Sequence, residues 1–215
     1  YNSAFISLSQ KLCYALDIKK TDDAATTAQK FFSAMQHEQY LPIAHVFKQS
    51  IHHYCLREWL ALANPEFAKR VHLRTLPPPY MVEAISNQLI DGFCVGEPWN
   101  TQAEIQGYSQ IIATGSDIIP RVADKVLAVT QEWAISNPNT LSALVQAIQK
   151  AQVELKQMQD LEPVWQVLVD YNIIRFACSA SVHVEKYHLI QNIIRSFIPE
   201  QAQPHVSDFV WLTQQ

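Results

Sequence analysis

A chain of 215 residues holds one large or two small domains, and its 48% hydrophobic and 17% charged residues are those of an ordinary soluble globular protein. A formal net charge of -4 with a pI near 6.0 excludes a nucleic-acid surface of clustered Lys and Arg, and no apolar run is long enough for a transmembrane helix. An anionic ligand must therefore be held by local donors.

From the start of the chain, Ile6-Ser7-Leu8 alternates as a strand. Residues 22–37 read as a helix with Ala24, Ala28, Phe31, Phe32 and Met35 on one face and acidic residues in its first turn. Pro42 ends that pattern, and Ile43-Ala44-His45-Val46-Phe47 makes a short apolar strand. Ser50 is a natural N-cap for the next helix, whose Ile51, Cys55, Trp59 and Leu62 recur at helical spacing and face inward. Around that cap, Lys48, Gln49, Ser50 and His52 bring a charge, an amide, a hydroxyl and an imidazole to the backbone N–H groups of a helix start, a donor set suited to a small oxyanion. Each also has a structural reading: Ser50 as cap alone, His52 and Lys48 as surface groups.

Residues 71–76 form the next strand. Pro77-Pro78-Pro79 cannot donate to a ladder and stiffens the exit from it, and the helix from Tyr80 turns Met81, Val82, Ile85 and Leu89 inward. These successive strand and helix units have the rhythm of a parallel sheet.

The densest stretch is Ile90-Asp91-Gly92-Phe93-Cys94-Val95-Gly96-Glu97-Pro98-Trp99-Asn100. Phe93, Cys94 and Val95 read as an inner strand buried on both faces. Glu97 then stands at a helix N-cap with Pro98 at the first helical position, so the stretch ends at the carboxyl end of a strand, where open α/β sheets bind ligands. Gly107 ends that helix as a C′ glycine. Further on, residues 126–129 read as a strand, and Asn137-Pro138 starts a helix with a stripe of Leu141, Leu144, Val145, Ile148 and Leu155. Val164, Val167, Leu168 and Tyr171 mark a shorter helix, and Leu189, Ile190, Ile193, Ile194 and Phe197 another. Cys13, Cys55, Cys94 and Cys178 lie far apart without metal-type spacing, which predicts buried thiols in place of disulfides and leans towards the cytoplasm.

Asp-Gly-Phe-Cys-Val-Gly-Glu-Pro-Trp-Asn at 91–100 resembles the signature of the nitrate-binding family of solute receptors, a group that also holds bicarbonate receptors and cytoplasmic nitrate sensors. Two further pieces agree in order and spacing. Ser50-Ile51-His52-His53-Tyr54-Cys55-Leu56-Arg57-Glu58-Trp59-Leu60 resembles the family's Ser-x-His-Asn-Tyr-x-Leu-Arg-x-Trp-Leu, with His53 in place of the usual Asn. Leu76-Pro77-Pro78-Pro79-Tyr80-Met81-Val82 resembles its Pro-Pro-Pro-x-Met-Val. The resemblance spans roughly residues 1–150 and implies an α/β fold of the type II periplasmic-binding-protein kind: two lobes with parallel-rich sheets, lobe two complete and lobe one partial. Residues 1–8 would be the end of lobe one and a crossing strand, 9–111 lobe two, and 112–215 the C-terminal part of lobe one. The opening part of lobe one is expected to be missing, and the tail from Pro204 would pack on lobe one.

The resemblance implies a nitrate or nitrite site in the cleft, with Ser50, His52, Glu97, Trp99 and Asn100 as ligand-binding residues and Lys48, His53 and Asn2 as further candidates. It implies the binding component of an ABC-type importer, working outside the cytoplasm with a permease, or a cytoplasmic sensor that controls a regulatory protein. A remoter alternative is a bicarbonate receptor. No metal or other cofactor is expected, except that the bicarbonate reading allows a calcium ion bridged by Glu97; otherwise Glu97 caps its own helix. The sequence holds no Gly-rich phosphate loop and no His-Glu-x-x-His helix. The histidine pairs 183/188 and 52/53 lack convincing metal spacing. Binding without catalysis is the expectation.

Overall fold

Five strands form one mixed sheet in the order β3-β2-β4-β1-β5: β1 is Ala4–Ser9, β2 Ile43–His45, β3 Leu73–Thr75, β4 Gly92–Gly96 and β5 Ser109–Thr114. The computed structural model describes residues 4–37, 40–119, 126–160 and 162–174. β2 runs parallel to β3 and β4. The expected crossing strand, β1, lies antiparallel between β4 and β5, with Phe5 opposite both Val95 and Thr114, so the sheet is mixed and not wholly parallel. Strand β5, read as a return to lobe one, completes this same sheet. The lobe boundaries at residues 9, 111 and 112 therefore stay a proposal.

Helices cover both faces. On one side, Ile6, Leu8, Ile43, Leu73, Cys94 and Ile112 pack with Phe31 of α2 (Ala24–Gln36) and with Cys55, Leu56, Trp59 and Leu60 of α3 (Ile51–Ala63); α1 (Gln10–Ala15) and α4 (Pro65–Arg70) adjoin them. On the other, Ala44, Phe93 and Val95 pack with Met81, Ala84 and Ile85 of α5 (Met81–Ser86) and Ala103 of α6 (Trp99–Ile105). Phe93, Cys94 and Val95 are all buried, as expected for an inner strand with apolar groups on both faces. Gly92 sits where β4 meets β1 most closely: a Cβ there would lie 2.8 Å from the Ser7 carbonyl oxygen, so no larger residue fits without moving backbone.

Several local expectations hold. Ser50 caps α3. Gly107 takes φ +75°, and the bonds from Gly107 N–H to Glu104 and from Tyr108 N–H to Ala103 close α6 with a Schellman turn. Cys13, Cys55 and Cys94 are buried thiols. Others differ. Residues 126–129 are irregular, not a strand. Leu62 is exposed because α3 turns Leu56 and Leu60 inward beside Cys55 and Trp59, and Leu89 is exposed past the end of α5, which stops at Ser86. Helix α2 has no acid in its first turn; Asp23 is its N-cap, accepting from the Thr26 N–H. Pro98 stands at the N-cap of α6 and Glu97 one residue earlier, joined by a cis peptide bond.

Helices α7 (Gly115–Ile118), α8 (Gln131–Ser136), α9 (Pro138–Gln157) and α10 (Glu162–Asp170) come next in the chain. The stripe read on α9 is only part-covered, with Leu144 and Ile148 exposed. Among the described residues no helix is long and apolar enough to cross a membrane. The helix read at 189–197, the tail from Pro204, Asn2, Cys178 and the histidines 183 and 188 lie outside the described residues.

Candidate functional site

Strands β2, β3, β4 and β5 all point the same way relative to β1. Their carboxyl ends, at His45, Thr75, Gly96 and Thr114, therefore lie along one edge of the sheet. The starts of α3, α5, α6 and α7 stand on that edge, as sheets of this kind require for a ligand site.

The turn from β2 into α3 is rich in donors and positive charge. The Ser50 hydroxyl donates to the Phe47 carbonyl at 2.6 Å and accepts from the His53 N–H at 3.2 Å. Its proton is thus used inside the turn, and Ser50 is a cap before it is a ligand donor. His52 is half-buried on the first turn of α3, with both ring nitrogens shielded from solvent. Lys48 is exposed on the loop. His53, half-buried, turns its Nδ1 to within 3.0 Å of Nδ1 of His45, and Nε2 of His45 lies 3.1 Å from the Thr75 hydroxyl. Burial first, then the charges of His53, Arg57, Lys48 and His52, holds the His45 imidazole down at about 4. His53 is lowered as well, by burial and then by Arg57 and Lys48. Both shifts disfavour the charged imidazoles, burial first, with the cationic Arg57 and Lys48 acting in the same direction.

The turn from β4 into α6 is built otherwise. The Glu97 carboxylate, 6% exposed, accepts from the Thr101 N–H at 3.2 Å and from its hydroxyl at 2.7 Å, the cap-like role weighed for it. Asn100 is fully buried; it accepts from the Ser7 hydroxyl and donates to the Val95 carbonyl, both at 2.7 Å. Its amide fastens α6 to β1 and β4. Trp99 is half-buried against the Phe93, Val95 and Met81 cluster.

The structure thus gathers His52, His53, Ser50 and Lys48 at the start of α3, and Glu97, Trp99 and Asn100 at the start of α6. His45 and Thr75 join the first group without having been singled out from sequence. The signal for His45 is its place as the last residue of a strand that leads into a capped helix. Arg57, despite its place in a family motif, donates from Nη1 to the carbonyls of Ala68 and Val71, so it holds the end of α4.

An α/β sheet with helix starts and a donor cluster along its carboxyl edge offers a candidate ligand site, and comparison with known proteins gives the chain a family. The sequence profile of the NMT1-like family matches residues 1–169, and the chain belongs to that family. It is 31% identical over 183 residues to the nitrate/nitrite binding protein NrtA of Nostoc sp., covering 83% of this chain and 40% of that one. It is 44% identical over 106 residues to the bicarbonate transport ATP-binding protein CmpC of Synechocystis sp., covering 49% of this chain and 16% of the relative. The crystal structure of periplasmic nitrate-binding NrtA from Synechocystis PCC 6803 superposes with a TM-score of 0.63 at 27% identity, over 78% of this chain and 42% of that one. The alkanesulfonate-binding protein SsuA of Xanthomonas axonopodis pv. citri shares the fold, with a TM-score of 0.60 at 13% identity. The fold is that of periplasmic binding proteins. The chain spans well under half of the length of these curated relatives.

Proposed function

We propose that this chain binds a small oxyanion, nitrate or nitrite, at the carboxyl edge of its sheet, as part of the substrate-binding component of an ABC-type uptake system. The observation that carries the reading is the gathering of Lys48, His52 and His53 at the capped start of α3, on the carboxyl edge of the sheet, in a chain whose net charge is -4. Long-range steering cannot attract an anion to such a chain, so the local donors of α3 must. A helix terminus supplies only about 0.3–1 kcal/mol by its dipole, against roughly -8 kcal/mol for micromolar binding; His52, with the backbone N–H groups of that turn and a second lobe, supplies the rest. The role is binding and not catalysis, and the site is outside the cytoplasm, in contact with a permease. No cofactor is needed. Thr101 donates to both carboxylate oxygens of Glu97, which supports the capping role for Glu97 over a calcium bridge. The test is Trp99 fluorescence: nitrate at millimolar level added to the full-length protein should change it, and Trp99→Ala should remove most of the response. No change in either protein places Trp99 in the core and away from the ligand.

A second reading has its own observation. The CmpC relative is named as an ATP-binding protein, as is the nitrate import protein NrtC of Synechocystis sp., 36% identical over 150 residues, which cover 70% of this chain and 22% of that one. This sequence contains no Gly-rich phosphate loop, so the shared part is not the nucleotide site. In this reading the lobe is the anion-responsive part of an ATP-hydrolysing transport subunit. Nitrate-dependent ATP hydrolysis by the polypeptide that carries this sequence separates the two. The cytoplasmic sensor reading draws no support from these relatives.

A further inference from the structure

His53 and His45 bring two imidazoles together at the edge of the sheet, their ring centroids 4.8 Å apart and their planes tilted by 43°. His45 ends β2, and Thr75 is its registered partner on β3. The chain of contacts runs from His53 Nδ1 to His45 Nδ1 at 3.0 Å, and from His45 Nε2 to the Thr75 hydroxyl at 3.1 Å. Two nitrogens can share a bond only if one carries the proton and the other a lone pair. With both rings neutral, His45 Nδ1–H donates to His53, Thr75 donates to His45 Nε2, and His53 keeps its N–H on Nε2; the alternative reverses every bond. One added proton is also accommodated. It enters at His45 Nε2, the Thr75 hydroxyl rotates from donor to acceptor, and the shared Nδ1 proton stays in place. A second added proton would set two N–H groups head to head and break the pair. The three residues hold either no extra proton or one.

We propose that the His53–His45–Thr75 chain takes up one proton from solvent when an anion binds at the start of α3, so that anion binding here is proton-coupled. This rests on the anion-binding reading above. In the ligand-free protein, the charged and titratable groups acting on His45 are His53, Arg57 and His52 from α3 and Lys48 from the loop; Thr75 from β3 is polar but uncharged. Together with burial they keep the pair neutral. An anion placed among these groups offsets their charge and favours the protonated pair. The bound state then holds more protons than the free state, and by linkage affinity must fall as pH rises. With Asn at position 53 the Nδ1 bond is gone, and no shared proton remains to couple.

The experiment is calorimetric titration of the full-length protein with sodium nitrate at about pH 5 and about pH 7, above the value of about 4 at which the free His45 titrates, and the affinity of the native protein should fall about fivefold or more between them as the anion-raised proton is lost. The His53→Asn protein should bind with an affinity that changes less than about twofold over the same range. Thr75→Val, at an exposed position, should also weaken the dependence and serves if His53→Asn does not fold. Native affinity that is flat with pH, or a slope that survives in both variants, overturns the proposal while the anion-binding reading stands. Absence of nitrate binding at either pH overturns that reading and the proposal with it.

Discussion

Asn100 shows how a single residue of a family signature can serve the fold. Its amide oxygen and nitrogen are both occupied inside the protein, by Ser7 and by the Val95 carbonyl, and it is fully buried. Truncation would strand two polar groups in the core, each costing about 1–3 kcal/mol. We expect Asn100→Ala to lower the thermal midpoint clearly while any folded fraction keeps native nitrate affinity; lost affinity at an unchanged midpoint would make Asn100 a ligand residue. The same logic explains what sequence could reveal about the site. Ser50, His52, His53, Glu97 and Trp99 all lie at the starts of the two helices where the spacing of caps and glycines puts them. Which of their polar groups are already engaged is invisible in one dimension: the Ser50 hydroxyl donates to the Phe47 carbonyl, and the Glu97 carboxylate accepts from the Thr101 N–H and hydroxyl.

At the level of elements, α3 is the piece on which stability turns and to which the proposed reading assigns binding. It is capped by Ser50, buries Cys55, Leu56, Trp59 and Leu60, and sets the Trp59 indole 3.1 Å from the Thr27 hydroxyl of α2 and 5.2 Å, centroid to centroid, from Phe31. Ser50→Ala should cost about 0.5–2 kcal/mol by chemical denaturation; a loss of affinity without a loss of stability would show that the hydroxyl serves the ligand and not the helix. Long periodic elements such as α2, α3 and α9 were legible because their apolar stripes or caps extend over several turns. Helix α4 escaped notice although Asn64 and Pro65 form a cap and first-turn pair, since six residues carry too little periodicity. The Val126 to Val129 run fails for the converse reason: four apolar-leaning residues fit an extended connection as well as a strand.

Across the whole molecule, the placement of β1 could not be read locally. Its alternation announces a strand, but its antiparallel position between β4 and β5 depends on partners 84 to 109 residues away, and such non-local pairing leaves no mark in local pattern. The resemblance to solute receptors implied a crossing strand there, but not its antiparallel place in the sheet. The chain is acidic and His52 stands on the first turn of α3, so in the proposed reading binding should depend on this side chain more than on net charge. The most direct test compares nitrate binding to the native full-length protein and to His52→Ala by calorimetry, with thermal midpoints recorded without ligand. The account predicts at least about tenfold weaker binding, roughly 1.4 kcal/mol, with the midpoint little changed. Affinity within about twofold of native, together with a midpoint lowered by several degrees, would make His52 a structural residue and contradict it.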